Sequence, residues 1–521
     1  MSTLMTVAAL LVGIIVLTPV ADRVRVPQPV LLTLFGLLLA LVPGMAVLEF
    51  HPDLVLPVVL PPLLFAATQR TTVREFTDNA KPVLLLAVGL TIATAAVVAV
   101  VAHTAGLAWG PAWVLGAVVS PPDPVAATAV ARRLKLPQRL VTVLEGEGMF
   151  NDATALVLYK VTVVAVVAGA LSPGQLVTEL VLAVVVGVGS GLALAWLTRA
   201  ALSILHDAGS ELTVIALMPF VVYLVAEHLD GSGVLAVLTF GLFLRSYGHR
   251  ALSSSGYLLG RAVWSYADFL ITSLVFALIG FELTKVLKDT GTDPSSLSVA
   301  ALVVGTVIVF RAVWMFPAAG LAGYRLRRQQ RESPYNWQET TVAAWAGMRG
   351  VVTVATALAL PATATAGRSF PDRNEIIFVA LVCVLVTLVL QGLTLSPLVS
   401  WLRVGRDTNF GDEVAELKSK ATAAALMALR GDQTGLSDPI RAAAISQYEA
   451  YLTVREALQD VRAQAGDSEH YTESDLRSAL DYAAEVEREV ILRARRTGDF
   501  SAAAADQVLD EVEARSLRDL G

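Results

Sequence analysis

The chain is short of the residues that build disulfide scaffolds and metal centres. Its 521 residues include one cysteine, Cys383, which excludes an intrachain disulfide. Six histidines are scattered without His-x-x-x-His or clustered spacing, so no zinc-type site is proposed and no cofactor is expected. Charge is scarce too: Asp, Glu, Lys and Arg make up 16% of the chain against 55% hydrophobic residues, and the mean hydropathy is +0.64. That balance excludes a soluble globule for roughly the first 400 residues and gives no basic surface for nucleic acid; it implies an all-α polytopic membrane protein. The apolar N-terminus lacks a basic n-region and a small-residue cleavage site, so it reads as a retained first helix rather than a signal peptide.

About thirteen hydrophobic segments can be drawn, near 4–20, 28–48, 53–68, 82–104, 110–131, 140–170, 174–200, 212–228, 231–247, 263–287, 296–324, 337–360 and 374–402. A hydrocarbon layer of ~30 Å needs about 20 residues per helix. The third segment is short and carries Pro57, Pro61 and Pro62, so an irregular backbone is expected there. Basic residues sort by loop parity. Seventeen follow odd-numbered segments, among them Arg23, Arg70, Arg132, Arg133, Lys135 and Arg139, and four follow even ones, Lys285, Lys288, Arg368 and Arg373. The positive-inside rule then places the N-terminus outside and the C-terminus in the cytoplasm.

Two stretches carry acids within these apolar segments. Ser-Pro-Pro-Asp-Pro at 120–124 surrounds Asp123 with Pro121, Pro122 and Pro124, which remove amide donors and forbid a continuous helix. Glu-Gly-Glu-Gly-Met-Phe-Asn-Asp at 145–152 ends on Asn151 and Asp152. Counted from the basic link between them, Asp123 lies nine residues from Arg132 and Asp152 thirteen from Arg139, about 13 and 20 Å at ~1.5 Å per residue. Both acids fall at middle depth, where ionised groups are costly and usually functional. A broken helix at that depth must be buried or line a cavity. Two acids and loosened carbonyls therefore point to a site for a monovalent cation or proton, held by Asp123 and Asp152.

Glu147, five positions before Asp152, points away from it on a helix. Its expected partner is Arg311, a guanidinium in the apolar eleventh segment that needs a carboxylate. Arg349 sits in Gly347-Met348-Arg349-Gly350, a second place where a helix can unwind, and is a candidate to neutralise helix ends or to pack there. The fifth and twelfth segments run in opposite directions, as two inverted-topology repeats with crossed broken helices would. Gly187, Gly189 and Gly191 read as a helix-packing stripe. Lys160 is expected to snorkel, and Glu227, His228 and Glu282 to be solvated.

From Val404 onward the composition changes. The stretch 404–521 holds 23 acidic and 14 basic residues, a net charge of −9. Ala-rich stretches separated by Gly431, Gly435 and Asp438-Pro439 read as an acidic helical tail on the cytoplasmic side, either a solvated appendage or a regulatory domain whose ligand the sequence does not name.

The motifs resemble the monovalent cation:proton antiporter-1 family, the sodium/proton exchangers, in its bacterial form. They are Leu60-Pro61-Pro62-Leu63-Leu64-Phe65, Asp123-Pro124-Val125, Glu147 with Asn151-Asp152, Ala226-Glu227 leading to Gly233-Val234-Leu235-Ala236, Arg311, and Gly347-Met348-Arg349-Gly350. The resemblance implies the sodium/proton antiporter fold in a transmembrane domain over 1–403, with a dimerisation part near 1–68 and 212–324 and a mobile core near 82–170 and 337–403. It implies an elevator-type homodimer in the plasma membrane that exchanges one cation for one proton. It further implies that Asp152 binds cation and proton in turn, that Asp123 and Pro122 lie beside it, that Asn151 braces the broken helix, and that Glu147 pairs with Arg311. Three positions depart from the family pattern. Pro122 and Gly148 stand where hydroxyl ligands are common, and Ala66 stands where an acid is common.

Two other readings use the same residues. A cation channel or a sensor with an output tail would use the same acids without obligatory exchange. An intramembrane aspartyl protease would use them as a dyad, yet Asp123 and Asp152 sit in neither a Tyr-Asp nor a Gly-x-Gly-Asp signature.

Overall fold

The computed structural model describes residues 2–24, 26–42, 52–69, 85–123, 127–128, 131, 134, 136–168, 173–205, 207–248, 253–290, 294–328, 336–364 and 368–404, and in the C-terminal part 423, 426–430, 439, 442, 445–446, 449 and 453. The chain divides into two compact units, Met1–Asp407 and Thr408–Gly521. Pro124 and most of the acidic tail lie outside the described residues. Within the tail, Arg430 pairs with Glu449 at 2.6 Å.

The first unit is a helical membrane protein. Among the described residues its helices are α1 Ser2–Val24, α2 Gln28–Ala40, α3 Pro52–Thr68, α4 Thr91–Thr104 (preceded by a π-helical turn, Leu85–Leu90), α5 Trp109–Val119, α6 Gln138–Ala168 and α7 Pro173–Leu202. They continue as α8 Ala208–His228, α9 Gly233–Phe243, α10 Ser254–Thr290, α11 Pro294–Arg328, α12 Trp337–Trp345, α13 Val351–Leu358 and α14 Arg373–Leu402. An isolated bridge between Thr363 and Ser369 is the extent of β-structure among them. Among the described residues seven helices are long and apolar enough to cross a membrane, and five further apolar ones are shorter.

Each of the thirteen expected segments holds described helix. The fifth and twelfth hold short pieces instead of full spans. α5 has 11 residues, α12 has 9 and α13 has 8, which at ~1.5 Å per residue is about half a bilayer each. The third segment departs from expectation: α3 runs through Pro57, Pro61 and Pro62 as one helix. Each proline there removes one backbone bond, but burial of Leu60, Leu64 and Phe65 on its neighbours holds the helix together.

Small residues set how closely the helices approach. A Cβ on Gly36 of α2 would overlap the Ala277 carbonyl of α10, and one on Gly280 of α10 would overlap the backbone of Leu37. Facing glycines thus seat α2 and α10 backbone to backbone, as packing in lipid favours. On α7, Gly187 and Gly191 press against Ser232 and the Ala236 backbone, while Gly189 faces open space. The glycine stripe is a packing surface.

Among the described residues three buried apolar clusters result, the smallest joining Leu10 of α1 to Ala277, Leu278 and Phe281 of α10. Of the larger two, one runs through α1, α2, α4 to α6 and α10 to α14. The other gathers α3, α7, α8 and α9 with Ala153 and Leu156 of α6, Trp264 of α10 and Val352 of α13. The polar residues of interest sit where α3, α6, α10 and α13 converge.

Candidate functional site

The short helices meet in pairs. α5 stops at Val119, where Pro121 and Pro122 deny the next turn its amide donors. α12 stops at Trp345, and α13 begins at Val351 after the extended Gly350. The two breaks exchange main-chain contacts: the Asp123 amide donates to the Met348 carbonyl at 2.6 Å, and the Val351 amide donates to Asp123 Oδ2 at 3.1 Å. Gly350 is required at this approach, because a Cβ there would overlap the Asp123 carboxylate.

Each half-helix end carries partial charge that water would normally screen, and here side chains do it instead. Asp123 meets the positive N-terminus of α13. Arg349, buried, meets the negative C-terminal ends: Nε donates to the Val119 carbonyl at 2.9 Å, one terminal nitrogen to Ser120 at 3.3 Å and the other to Gly347. Its own amide donates to Thr387 Oγ1 at 3.1 Å. Arg349 is thus both packed in the crossing and bonded to carbonyls at both helix breaks.

α6 is continuous and carries three of the candidate side chains, Glu147 and Asn151 four residues apart on one side and Asp152 turned from Glu147. Asn151, fully buried, donates from Nδ2 to the Pro122 carbonyl at 2.9 Å, so it holds an acceptor that the missing helical turn left free. Glu147 turns away and forms a bidentate pair with Arg311, Nη2 to Oε2 at 2.9 Å. Arg311 also donates to the Ala343 carbonyl at 3.0 Å. A Cβ on Gly347 would overlap the Arg311 side chain, so that glycine makes room for it.

Asp152 has a different setting. It is partly buried and lines a cavity of about 80 Å³ with Asp123, Gly148 and Pro121, room for several water-sized species. The rest of the wall comes from Leu60, Leu63, Leu64 and Ala67 of α3, Thr128, Glu145 of α6, Asp268 and Thr272 of α10, and the 350–353 stretch with Thr353. Among the described residues the Asp152 side chain takes part in no hydrogen bond or ion pair, and the charge that acts on it is that of another acid, Asp123. A carboxylate so placed is stabilised by whatever small cation enters, proton included.

The structure therefore brings Asp123, Asp152, Asn151, Pro121, Pro122, Gly347, Arg349 and Gly350 to one crossing. Glu147 and Arg311 stand beside it as a separate buried pair. Other expectations need correction. Lys160 and Glu227 are neither snorkelling nor simply solvated: Lys160 Nζ lies 2.9 Å from Glu227 Oε2 and 2.8 Å from the Gly231 carbonyl, and Glu227 Oε1 accepts the Gly233 amide at 3.0 Å. Glu282 is buried, 7% exposed. Sequence reasoning also passed over Glu145, Asp268, Thr272 and Thr353. Asp268 is an acid in an apolar segment and the intramembrane-charge rule would have found it; the threonines carry no such signal.

Comparison with known proteins adds an independent line. The pattern of the family described as sodium/hydrogen exchanger, transmembrane, matches residues 7–401. An uncharacterised Na⁺/H⁺ exchanger of Mycobacterium tuberculosis is 34% identical over 455 residues, covering 86% of this chain and 83% of the relative. A sodium, potassium, lithium and rubidium/H⁺ antiporter of Bacillus subtilis is 28% identical over 521 residues, covering 97% of this chain and 76% of its own. The solved sodium proton antiporter NhaP1 of Methanocaldococcus jannaschii has the same fold, with a TM-score of 0.60 at 19% identity, over 77% of this chain and 99% of that one.

Proposed function

Because the chain belongs to the sodium/hydrogen exchanger family, a family of transporters rather than enzymes, we propose that it exchanges a monovalent cation for a proton at Asp152. One observation carries the reading. Of the two acids at the helix crossing, Asp123 is already engaged by the α13 amide, whereas the Asp152 side chain has no hydrogen-bond or ion-pair partner among the described residues. A proton or a cation on Asp152 neutralises the same carboxylate, so the two compete. Desolvating an ionised carboxylate is expensive, so the loaded forms cross the apolar barrier and the empty form does not. Exchange becomes obligatory without any ATP site.

The finer reading is one cation for one proton, since Asn151 rather than a second acid precedes Asp152. We assign the moving core to 82–170 and 337–403 and the dimerisation part to 1–68 and 212–324, in an elevator-type homodimer of the plasma membrane with the C-terminus in the cytoplasm. Sodium is the first ion to test, with potassium, lithium and rubidium beside it because the Bacillus subtilis relative is named for all four. The test is a proteoliposome assay: a preset pH gradient, then each salt in turn, for wild type and Asp152→Ala. Cation-driven dissipation in wild type and none in Asp152→Ala is expected; equal exchange by the two would overturn the assignment.

A further inference from the structure

Two acids do not complete the shell of a small hard cation, which takes several oxygen ligands. Among the described residues no three Asp, Glu, His or Cys side chains cluster as a metal-holding group, and Pro122 and Gly148 bring no hydroxyl. Glu145 and Asp268 also line the cavity but form no such cluster with the crossing acids, so neutral oxygens on its wall are the further ligands to look for.

Two threonines meet that need. Thr353, in the first turn of α13, is 1% exposed and Thr272 of α10 is 7% exposed. Both line the cavity with Asp123 and Asp152. The hydroxyl oxygens of both are buried and, among the described residues, have no hydrogen-bond partner. Thr91 and Thr198 are buried and unpartnered too, but they lie away from the cavity, and several other buried helical threonines bond back to the preceding turn. Thr356 donates to the Val352 carbonyl at 2.8 Å, Thr284 to Gly280 at 2.8 Å and Thr387 to Cys383 at 2.7 Å. Bonding back to the preceding turn is the ordinary resolution for a threonine in an apolar helix. Buried polar groups without partners are rare enough to need a reason, and two on one acid-lined cavity share one.

We propose that Thr353 Oγ1, assisted by Thr272 Oγ1, coordinates the transported monovalent cation beside Asp152. The inference rests on the antiport reading above. A hydroxyl lends lone pairs to a cation without titrating. A proton on Asp152 needs no such ligand. The pair therefore acts on the cation side of the competition and leaves the proton side alone. Thr353 belongs to the crossing that holds Asp123, whereas Thr272 belongs to α10, which is seated on α2 through Gly36 and Gly280. Thr353 is accordingly the ligand that stays with the acids when one group of helices moves against the other, and Thr272 the one that is gained or lost.

The test uses the full chain in proteoliposomes. The half-saturating concentration of Na⁺, then of Li⁺, K⁺ and Rb⁺, is measured across a range of pH, which yields a cation constant and a proton inhibition constant separately. Thr353→Val should raise the cation constant by about five- to tenfold, the loss of one good polar contact, with the proton constant unchanged. The rise should differ among the four cations. Thr272→Val should do the same to a smaller degree, and Thr353→Ser should restore values to about twofold of wild type. A cation constant for Thr353→Val within about twofold of wild type overturns the proposal, as does a loss of maximal rate equal for all cations that serine does not rescue. Should Thr353→Val not yield a monodisperse protein, Thr353→Ala is read by the same criterion. Wild type without exchange, or an active Asp152→Asn, overturns the antiport reading and this inference with it; an unchanged Thr353→Val in an Asp152-dependent exchanger overturns this inference alone.

Discussion

Arg349 donates from Nε to the carbonyl of Val119 at 2.9 Å across 230 positions of chain. The same guanidinium serves Ser120 and Gly347, so one cation closes the ends that two interrupted helices leave open. It does so inside protein, where an unpaired carbonyl has no water to turn to.

Arg349→Ala should therefore unfold more easily by roughly 3 kcal/mol or more, since several buried acceptors lose their donor together. Arg349→Lys should fall between, because an ammonium lacks the planar fork that reaches separate carbonyls. Thermal unfolding of the detergent-solubilised variants checks the order. Melting of Arg349→Ala at the wild-type temperature would remove the helix-end role.

Glu147 and Arg311 form a buried pair that does not line the cavity. Removing one partner strands a charge, so Glu147→Leu and Arg311→Met should each cost about 3–5 kcal/mol, and the double variant should recover at least half of that. Exchange activity should return with stability in the double variant. A double variant that is stable and yet inactive would show that the pair acts in transport and not in the scaffold alone.

Lys160 and Glu227 make the contrasting pair, with side chains 37% and 35% exposed. Exposed pairs contribute about 0–1 kcal/mol, so Lys160→Ala should change little. Glu227→Ala should cost more, by roughly 1 kcal/mol, because Glu227 also accepts the first amide of α9, at Gly233. Unfolding midpoints that rank Lys160→Ala as the more damaging variant would contradict this.

What was legible beforehand divides by physical cause. The thirteen segments follow from hydropathy, because a bilayer leaves little choice of element. The breaks at 120–124 and 347–350 were legible because proline and glycine act on their own backbone. The pairing of Glu147 with Arg311 was legible because a guanidinium in an apolar segment has few acceptable fates. α3 was misread as irregular because its prolines are a local signal and its burial is not. Lys160 and Glu227 were misread for the same reason: α6 and α8 carry them, and no pattern within either helix reports that they touch.

The cavity was the least legible part. Sequence alone determined that this chain is a helical membrane protein, that two of its helices break, and that Asp123 and Asp152 both fall within apolar segments, since each follows from composition, from proline and from reading along the chain. Only the tertiary structure decided which acid is engaged, which carbonyls Arg349 closes, and that Thr272 and Thr353 bring unbonded hydroxyls to the same cavity. Those are relations between residues some 30 to 230 positions apart, created when α3, α6, α10 and α13 pack, and no local chemistry of the chain encodes them.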